Sequence, residues 1–290
     1  MSIDIPYPQV ADMSLATASF AEAMSRFFTA KSHADLDATL DCFTKNDVLY
    51  IDAIVGWEYR SWASLREIFG QVFPNWKKAG GLSYPLRIIG GDDSGVVLLH
   101  DTKELFGEEL FGIAAVNMRG GRIERWVDYW DARQMSPGLR ETMLRPLPTD
   151  YCDDPDGTKS AGSIREVSMA LQSAFASGDV DAAMSLLGAD AVLEDLALRT
   201  TLLGPSAILR YLKQGIDDLP YGVGADLVHM TGGPRGGSYE WVARSGSGFG
   251  RGITVLELDA AGLITHLITA YDTLLVSDER FRSLVLLAAN

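Results

Sequence analysis

Apolar and polar positions run along this chain in two successive rounds of one pattern. Residues 27–52, FFTAKSHADLDATLDCFTKNDVLYID, begin with apolar positions at helical spacing and finish in a short apolar strand ending on Asp52. Residues 171–195, LQSAFASGDVDAAMSLLGADAVLED, repeat that order and end on Asp195. Within them ADLDA (34–38) and GDVDA (178–182) fall in register. The closing segments match too. GGRIERWVDYWDARQM (120–135) and AGLITHLITAYDTLLV (261–276) each run from a small-residue turn through a strand to a tyrosine and an aspartate. Self-similarity at one fixed separation is the mark of a duplicated unit.

In the first round the spacing predicts helices near 11–31, 34–44 and 61–77, then strands near 82–90, 95–104, 109–119 and 122–132. The turns GGDDSG and RGG read as hairpin connections. Helices followed by consecutive antiparallel strands make an α+β unit. The expected fold is therefore α+β: tandem duplicated cone-shaped domains, each with N-terminal helices packed in a curved, mostly antiparallel sheet whose open end leaves a pocket. Residues 135–163 are rich in proline, acidic and small residues, as a linker is. This predicts a first domain at 1–148, a linker at 149–162 and a second domain at 163–290. The two halves are expected to pack sheet to sheet as an intramolecular pseudo-dimer, with further homo-oligomerisation left open. TGGPRGGS and SGSGFGRG read as flexible hairpin loops, since neither opens a helix with the lysine that phosphate binding requires.

Composition narrows the classes. The chain has 290 residues, 47% hydrophobic and 22% charged, as a folded globular protein does. Its formal net charge of -14 argues against nucleic acid as a partner. No apolar run reaches the roughly 18 residues of a membrane helix, and MSIDIPYPQV lacks a signal-peptide pattern, so the expected location is cytoplasmic. Cys42 and Cys152 are too few for a disulfide framework. His33, His100, His229 and His266 form no metal-binding pair, so neither metal nor cofactor is expected.

Candidate chemistry follows from strand parity, because side chains at i and i+2 share a face. Tyr50 and Asp52 share one face; so do Leu99, Asp101 and Lys103; so do Trp126, Asp128 and Trp130. An aspartate between two tryptophans lies against apolar surface, which raises a carboxyl pKa toward the range of a working acid or base. The plainer alternatives are a structural Asp128 held by Arg125 or a loop backbone, an Asp101 paired with Lys103, and Trp57 and Trp62 as simple pocket wall.

This pattern resembles the SnoaL-like, ketosteroid-isomerase-like and limonene-epoxide-hydrolase-like proteins, which share the nuclear transport factor 2 type fold. VLYIDAIVG is similar to the isomerase strand whose aspartate is the general base, at Asp52 here. It also resembles the hydrolase strand whose Tyr-x-Asn holds the attacking water, at Tyr50 and Asp52. RIERWVDYWD is similar to the hydrolase closing strand, whose first aspartate falls at Asp128. The hydrolase Arg-x-Asp pair is replaced by Asp101-x-Lys103, and the isomerase enolate donors fall at Phe27 or Phe28 and at Ala114.

The resemblance implies a cofactor-independent acid–base enzyme (a cyclase, isomerase or aldol-type lyase) acting on an apolar small molecule. Asp52 would be the base and Asp128 the acid, with Asp101, Tyr50 and Lys103 assisting. Trp57, Trp126, Trp130, Leu99 and Phe28 would bind the substrate. Epoxide hydrolysis by carboxylate-activated water is one alternative; a non-enzymatic ligand-binding or assembly module is another. In the second half Asp195 matches Asp52, while Leu193, Ala243, Ser245 and Thr269 replace Tyr50, Asp101, Lys103 and Asp128. Its pocket, with Trp241 and Tyr239, is expected to be structural or substrate-gating.

Overall fold

The computed structural model describes residues 5–146, 154, 156–245 and 248–288. Cys152 and residues 149–151, 153 and 155 of the expected linker lie outside them. The first half runs β1 (Asp12–Ala16), α1 (Ala18–Ser32), α2 (Leu36–Asp41), β2 (Leu49–Asp52), β3 (Trp57–Tyr59) and α3 (Trp62–Ala79). It continues through β4 (Ser83–Gly90), β5 (Ser94–Asp101), α4 (Lys103–Phe106), β6 (Leu110–Arg119), β7 (Arg122–Trp130) and α5 (Pro137–Met143). The second half runs α6 (Ser163–Ser177), α7 (Val180–Ser185), β8 (Leu187–Asp195), β9 (Thr200–Leu203) and α8 (Pro205–Gly215). It closes with β10 (Ala225–Gly233), β11 (Gly236–Ser245), β12 (Gly248–Leu258), β13 (Ile264–Tyr271) and α9 (Asp278–Ala288).

Two separate sheets result, in the orders β1-β4-β5-β6-β7-β2-β3 and β10-β11-β12-β13-β8-β9. Apart from β1 the orders coincide strand for strand. Each half is an α+β cone with its helices laid on the inner face of a mostly antiparallel sheet. The register repeats as well: Asp52 lies opposite Asp128 on the parallel pair β2/β7, and Asp195 lies opposite Thr269 on β8/β13.

Local chemistry explains the elements. α3 starts at a capping box, in which Ser61 and Ser64 satisfy each other's backbone N–H, and stops at Gly80, whose φ of 72° suits glycine. Its buried residues Leu65, Phe69, Phe73 and Trp76 recur at helical spacing and face the sheet. In the strands, alternate residues serve two cores. Ala114, Val116 and Trp126 turn inward under the helices. Ile113, Ala115, Val127 and Tyr129 turn outward and pack on Ile253, Val255, Ile268 and Ala270 of the second sheet.

This sheet-to-sheet contact also buries an ion pair. Arg125 of β7 donates twice to Glu240 of β11, at 2.6 and 3.0 Å, and the Tyr129 hydroxyl donates to the same carboxylate at 2.6 Å. Burial pushes Glu240 upward, but the Arg125 guanidinium and the other donors outweigh it and hold its carboxyl below the usual range.

Three expectations are corrected. The helix expected at 11–31 is a strand and a helix, since β1 pairs in parallel with β4 before the chain turns at Thr17. The strand expected at 95–104 ends at Asp101, because Thr102 bonds back to Leu82 and opens α4, so Lys103 does not share a strand face with Asp101. TGGPRGGS is a tight hairpin with buried glycines, exposed only at Pro234 and Arg235, instead of a loose loop. A Cβ on Gly233 would stand 2.8 Å from the Gly91 backbone nitrogen, so only glycine lets the halves meet there.

Candidate active site

The first half encloses a cavity of about 740 Å³, open mouth included, between α1, α3 and the inner face of the sheet. Its walls are apolar and aromatic: Trp57, Tyr59, Phe69, Val72, Trp76, Leu99, Phe106, Trp130, Met135 and Met143 among them. Five polar groups from three strands and one helix reach into it: Tyr50 and Asp52 (β2), Asp101 (β5), Asp128 (β7) and Lys31 (α1).

Asp52 and Asp128 are register partners on adjacent strands, about 4.8 Å apart as parallel neighbours are. Their hydrogen bonding is unequal. Asp52 accepts from the backbone N–H groups of Ile54 (2.8 Å) and Val55 (2.9 Å) and from the Trp130 indole (3.0 Å). Among the described residues Asp128 accepts only from the Trp126 indole, at 3.0 Å, and its buried Oδ1 has no partner. Burial raises both carboxyls. On Asp52 the two backbone donors and Trp130 offset part of that rise; Asp128 is pushed well above the ordinary range by burial and then by the charge of Asp52. Two carboxylates this close cannot both ionise cheaply. Three donors favour the charge on Asp52, and a single donor favours the proton on Asp128. Asp52 still has a lone-pair site free, out of about four on a carboxylate.

Tyr50 stacks on Trp126, with parallel rings 6.0 Å apart. Burial, then the charge of Asp128, raises its phenol well above its ordinary value, so it stays a neutral donor. Asp101 faces Lys31 at 3.5 Å.

Of the residues expected from the sequence, Tyr50, Asp52, Asp101, Asp128, Trp57, Trp130 and Leu99 border this cavity. Three others stand elsewhere. Lys103 is exposed on α4. Trp126 and Phe28 are fully buried beneath the cavity, where Trp126 positions Asp128 and Phe28 packs against Trp126. The cavity's cation is Lys31, which the strand-based reading missed. Its signal was present in α1: Phe20, Met24, Phe27, Phe28 and Lys31 fall on one buried helical stripe. His100 bonds Tyr84 and Glu109 and stacks on Phe111.

The matching cup of the second half is closed around its aspartate, and a smaller hollow of about 470 Å³, open mouth included, remains beside Ala243 and Tyr271. Asp195 is fully buried and accepts from the Leu198 N–H (2.9 Å) and the Tyr271 hydroxyl (3.1 Å), with the Tyr221 hydroxyl at 3.5 Å. Burial raises it to about 7. Trp241 and Tyr239 are core side chains with no exposed surface, not lining of an open pocket. The Thr269 hydroxyl donates to the Ile253 carbonyl, and Ala243 brings no charge. The Ser245 side chain lies outside the described ones.

Among the described residues, no group of three or more His, Cys, Asp or Glu side chains is set to hold a metal ion, and no helix is long and apolar enough to cross a membrane. No protein-family model and no curated protein matches the chain. Solved structures similar to it include an NTF-2 like protein of unknown function from Burkholderia xenovorans LB400, at 20% identity over 38% of this chain and 83% of that one, TM-score 0.34. Another is the epoxide hydrolase/cyclase-like enzyme SalBIII, connected with pyran ring formation in the polyether salinomycin, at 18% identity over 39% and 92%, TM-score 0.34. A third is an LEH-like epoxide hydrolase from M. tuberculosis, at 17% identity over 43% and 92%, TM-score 0.34. These are likenesses of fold; the chemistry has to come from the cup itself.

Proposed function

We propose that the first half is an acid–base enzyme for an apolar small molecule, with Asp52 as the base and Asp128 as the acid. The observation that carries this is the unequal hydrogen bonding of two carboxyls held in register on the floor of an aromatic cavity. Environments that push two carboxyls apart assign one to take a proton and the other to give it. A proton taken by Asp52 beside a carbonyl, and one returned by Asp128, together accomplish a double-bond shift or an aldol-type ring closure; in an aldol-type cleavage Asp52 would take the proton of the β-hydroxyl as the carbon–carbon bond breaks, and Asp128 would protonate the enolate carbon. The neutral Tyr50 phenol would donate to the oxygen on which charge develops. These steps move protons and an enolate electron pair, and the two carboxyls suffice for them.

A second reading uses the same pair on an epoxide. Tyr50 and Asp52 stand two residues apart on one strand face and both border the cavity, so together they can hold a water. Asp52 would deprotonate that water while Asp128 protonates the opening oxygen.

One comparison separates the readings. 2-Decalone in D2O is followed by NMR for exchange of its α-protons, and limonene oxide in H2-18O by mass spectrometry for labelled diol. The proton-transfer reading expects accelerated ketone exchange that falls by about 100-fold or more in Asp52→Asn. Asp52-dependent diol without ketone exchange would move the assignment to the second reading. Rates that Asp52→Asn leaves unchanged in both assays would remove both.

A further inference from the structure

Beside the carboxyl pair the cavity holds a second polar site, which gives and takes no proton in the proposed reaction although its charges reach the pair: Asp101 adds to the rise that burial causes in Asp52 and Asp128, and Lys31 lowers Asp128. Lys31 and Asp101 have side chains only 5% and 11% exposed, and both border the cavity. The Lys31 ammonium stands 3.5 Å from Asp101 Oδ1, and among the described residues that buried oxygen accepts no hydrogen bond. The ammonium also lies over the Trp76 ring, 5.9 Å from its centroid, and its charge acts on Asp128. A buried ammonium carries three donors, and a buried carboxylate oxygen that accepts nothing is rare in folded proteins. An ion pair that served only the fold would close to hydrogen-bonding distance and satisfy both groups.

We propose that Lys31 and Asp101 form a binding station for a neutral hydroxyl of the substrate, so that the substrate class is an uncharged, apolar alcohol whose reacting carbon lies at the Asp52–Asp128 pair. This rests on the proton-transfer reading of the same cup and adds the far end of the molecule to it. A hydroxyl matches the station at both ends: its oxygen accepts from the ammonium while its proton goes to Asp101. A ketone can use only the ammonium. A carboxylate meets Asp101 as a like charge, in a cup where Lys31 already balances one aspartate and Asp52 is ionised. Anionic substrates are therefore rejected by charge, and Phe69, Val72 and Leu99 take up the apolar body between the two ends.

Isothermal titration calorimetry with 2-decalol, 2-decalone and decalin-2-carboxylate tests this on the full chain. The alcohol is expected to bind about tenfold more tightly than the ketone, as suits one extra hydrogen bond to a charged group, and the carboxylate at least tenfold more weakly than the ketone. In Asp101→Asn and in Lys31→Met the alcohol-to-ketone ratio should fall to about twofold or less. The double variant Lys31→Met/Asp101→Leu, which leaves no buried charge unpaired, gives the same readout if either single variant fails to fold. Carboxylate binding equal to that of the alcohol, or a ratio unchanged in these variants, overturns the proposal. Asp52→Asn keeps the two failures apart, because it should abolish ketone exchange and leave the alcohol preference intact. A preference without Asp52-dependent exchange sinks only the proton-transfer reading; exchange without a preference sinks only the station.

Discussion

The two cups share one frame and differ in what fills it. In both, an aspartate at the end of the inner parallel strand accepts a backbone N–H from three residues further on: Val55 for Asp52 and Leu198 for Asp195. In both, an aromatic residue on the neighbouring strand donates to its other oxygen: Trp130 to Asp52 and Tyr271 to Asp195. That aspartate is therefore a turn-former first, and its presence in both halves says nothing about catalysis. What separates the cups is the partner and the space. Asp128 becomes Thr269, and Leu99 becomes Trp241, whose indole lies so close to Gly252 that a Cβ there would stand 2.3 Å away. Helix α8 has 11 residues against 18 in α3, and the segment after it brings Tyr221 into the cup. A few side chains on an unchanged register turn a cavity into a core.

The largest expected difference between the halves is catalytic. Asp128→Asn should lower ketone exchange by about 100-fold or more, whereas Asp195→Asn should change it by no more than about twofold. In the proposed reaction Asp128 works protonated, and burial raises its pKa, so wild-type activity should fall as pH rises through that raised pKa. Asparagine cannot ionise, and the residual activity of the variant should lack this alkaline limb. Equal losses in the two variants would make the second cup a working site.

Next comes stability. Trp241→Ala should remove about 3–5 kcal/mol in urea denaturation, since it empties a filled core, while Leu99→Ala at the edge of an existing cavity should cost less than about 2 kcal/mol. Similar costs would mean that the second cup is no better packed than the first.

A comparable effect appears with pH. Asp195 stands at about 7 in the fold against 3.8 as its ordinary value. Between those values the unfolded chain loses a proton that the fold retains, so its contribution is full below the lower value, declines as pH rises and levels off above the upper one. Its size is on the order of 4 kcal/mol. Asp195→Asn should flatten the decline of urea stability between roughly pH 4 and 7 by that order. An unchanged slope would mean that Asp195 is ionised in the fold. The smallest effect belongs to Lys103→Ala, which should leave both exchange and stability near wild type because the side chain lies in solvent.

The repeat, the run of hairpin-connected strands and the shared face of Tyr50 and Asp52 were legible because period-2 alternation and duplicated segments survive in the residues themselves, whereas the parallel pairing of β2 with β7 was not. Local apolar content misled at two places. In DMSLA, Met13 and Leu15 continue the apolar spacing of α1, and only the pairing of β1 with β4 makes the segment a strand. In LHDTK the alternation runs on past Asp101, but the bond from Thr102 back to Leu82 ends the strand. Lys31 was visible as a charge on an apolar stripe, yet its partner Asp101 lies 70 positions away, and no periodicity reports such a distance. The closure of the second cup was equally hidden, since it depends on where Tyr221 folds and not on its neighbours in the chain.

Strand β7 points Trp126, Asp128 and Trp130 into the cup and Arg125 and Tyr129 across to Glu240 of the second half. One short strand thus seats the acid and grips the other half at once. If the halves were separate chains, that grip would be lost on dilution and the floor of the cup would loosen with it. Joined in one chain, the second half is present at an effective concentration in about the millimolar range, whatever the amount of protein outside. Turnover per chain should then be the same at the lowest concentration an assay can follow as in a concentrated stock.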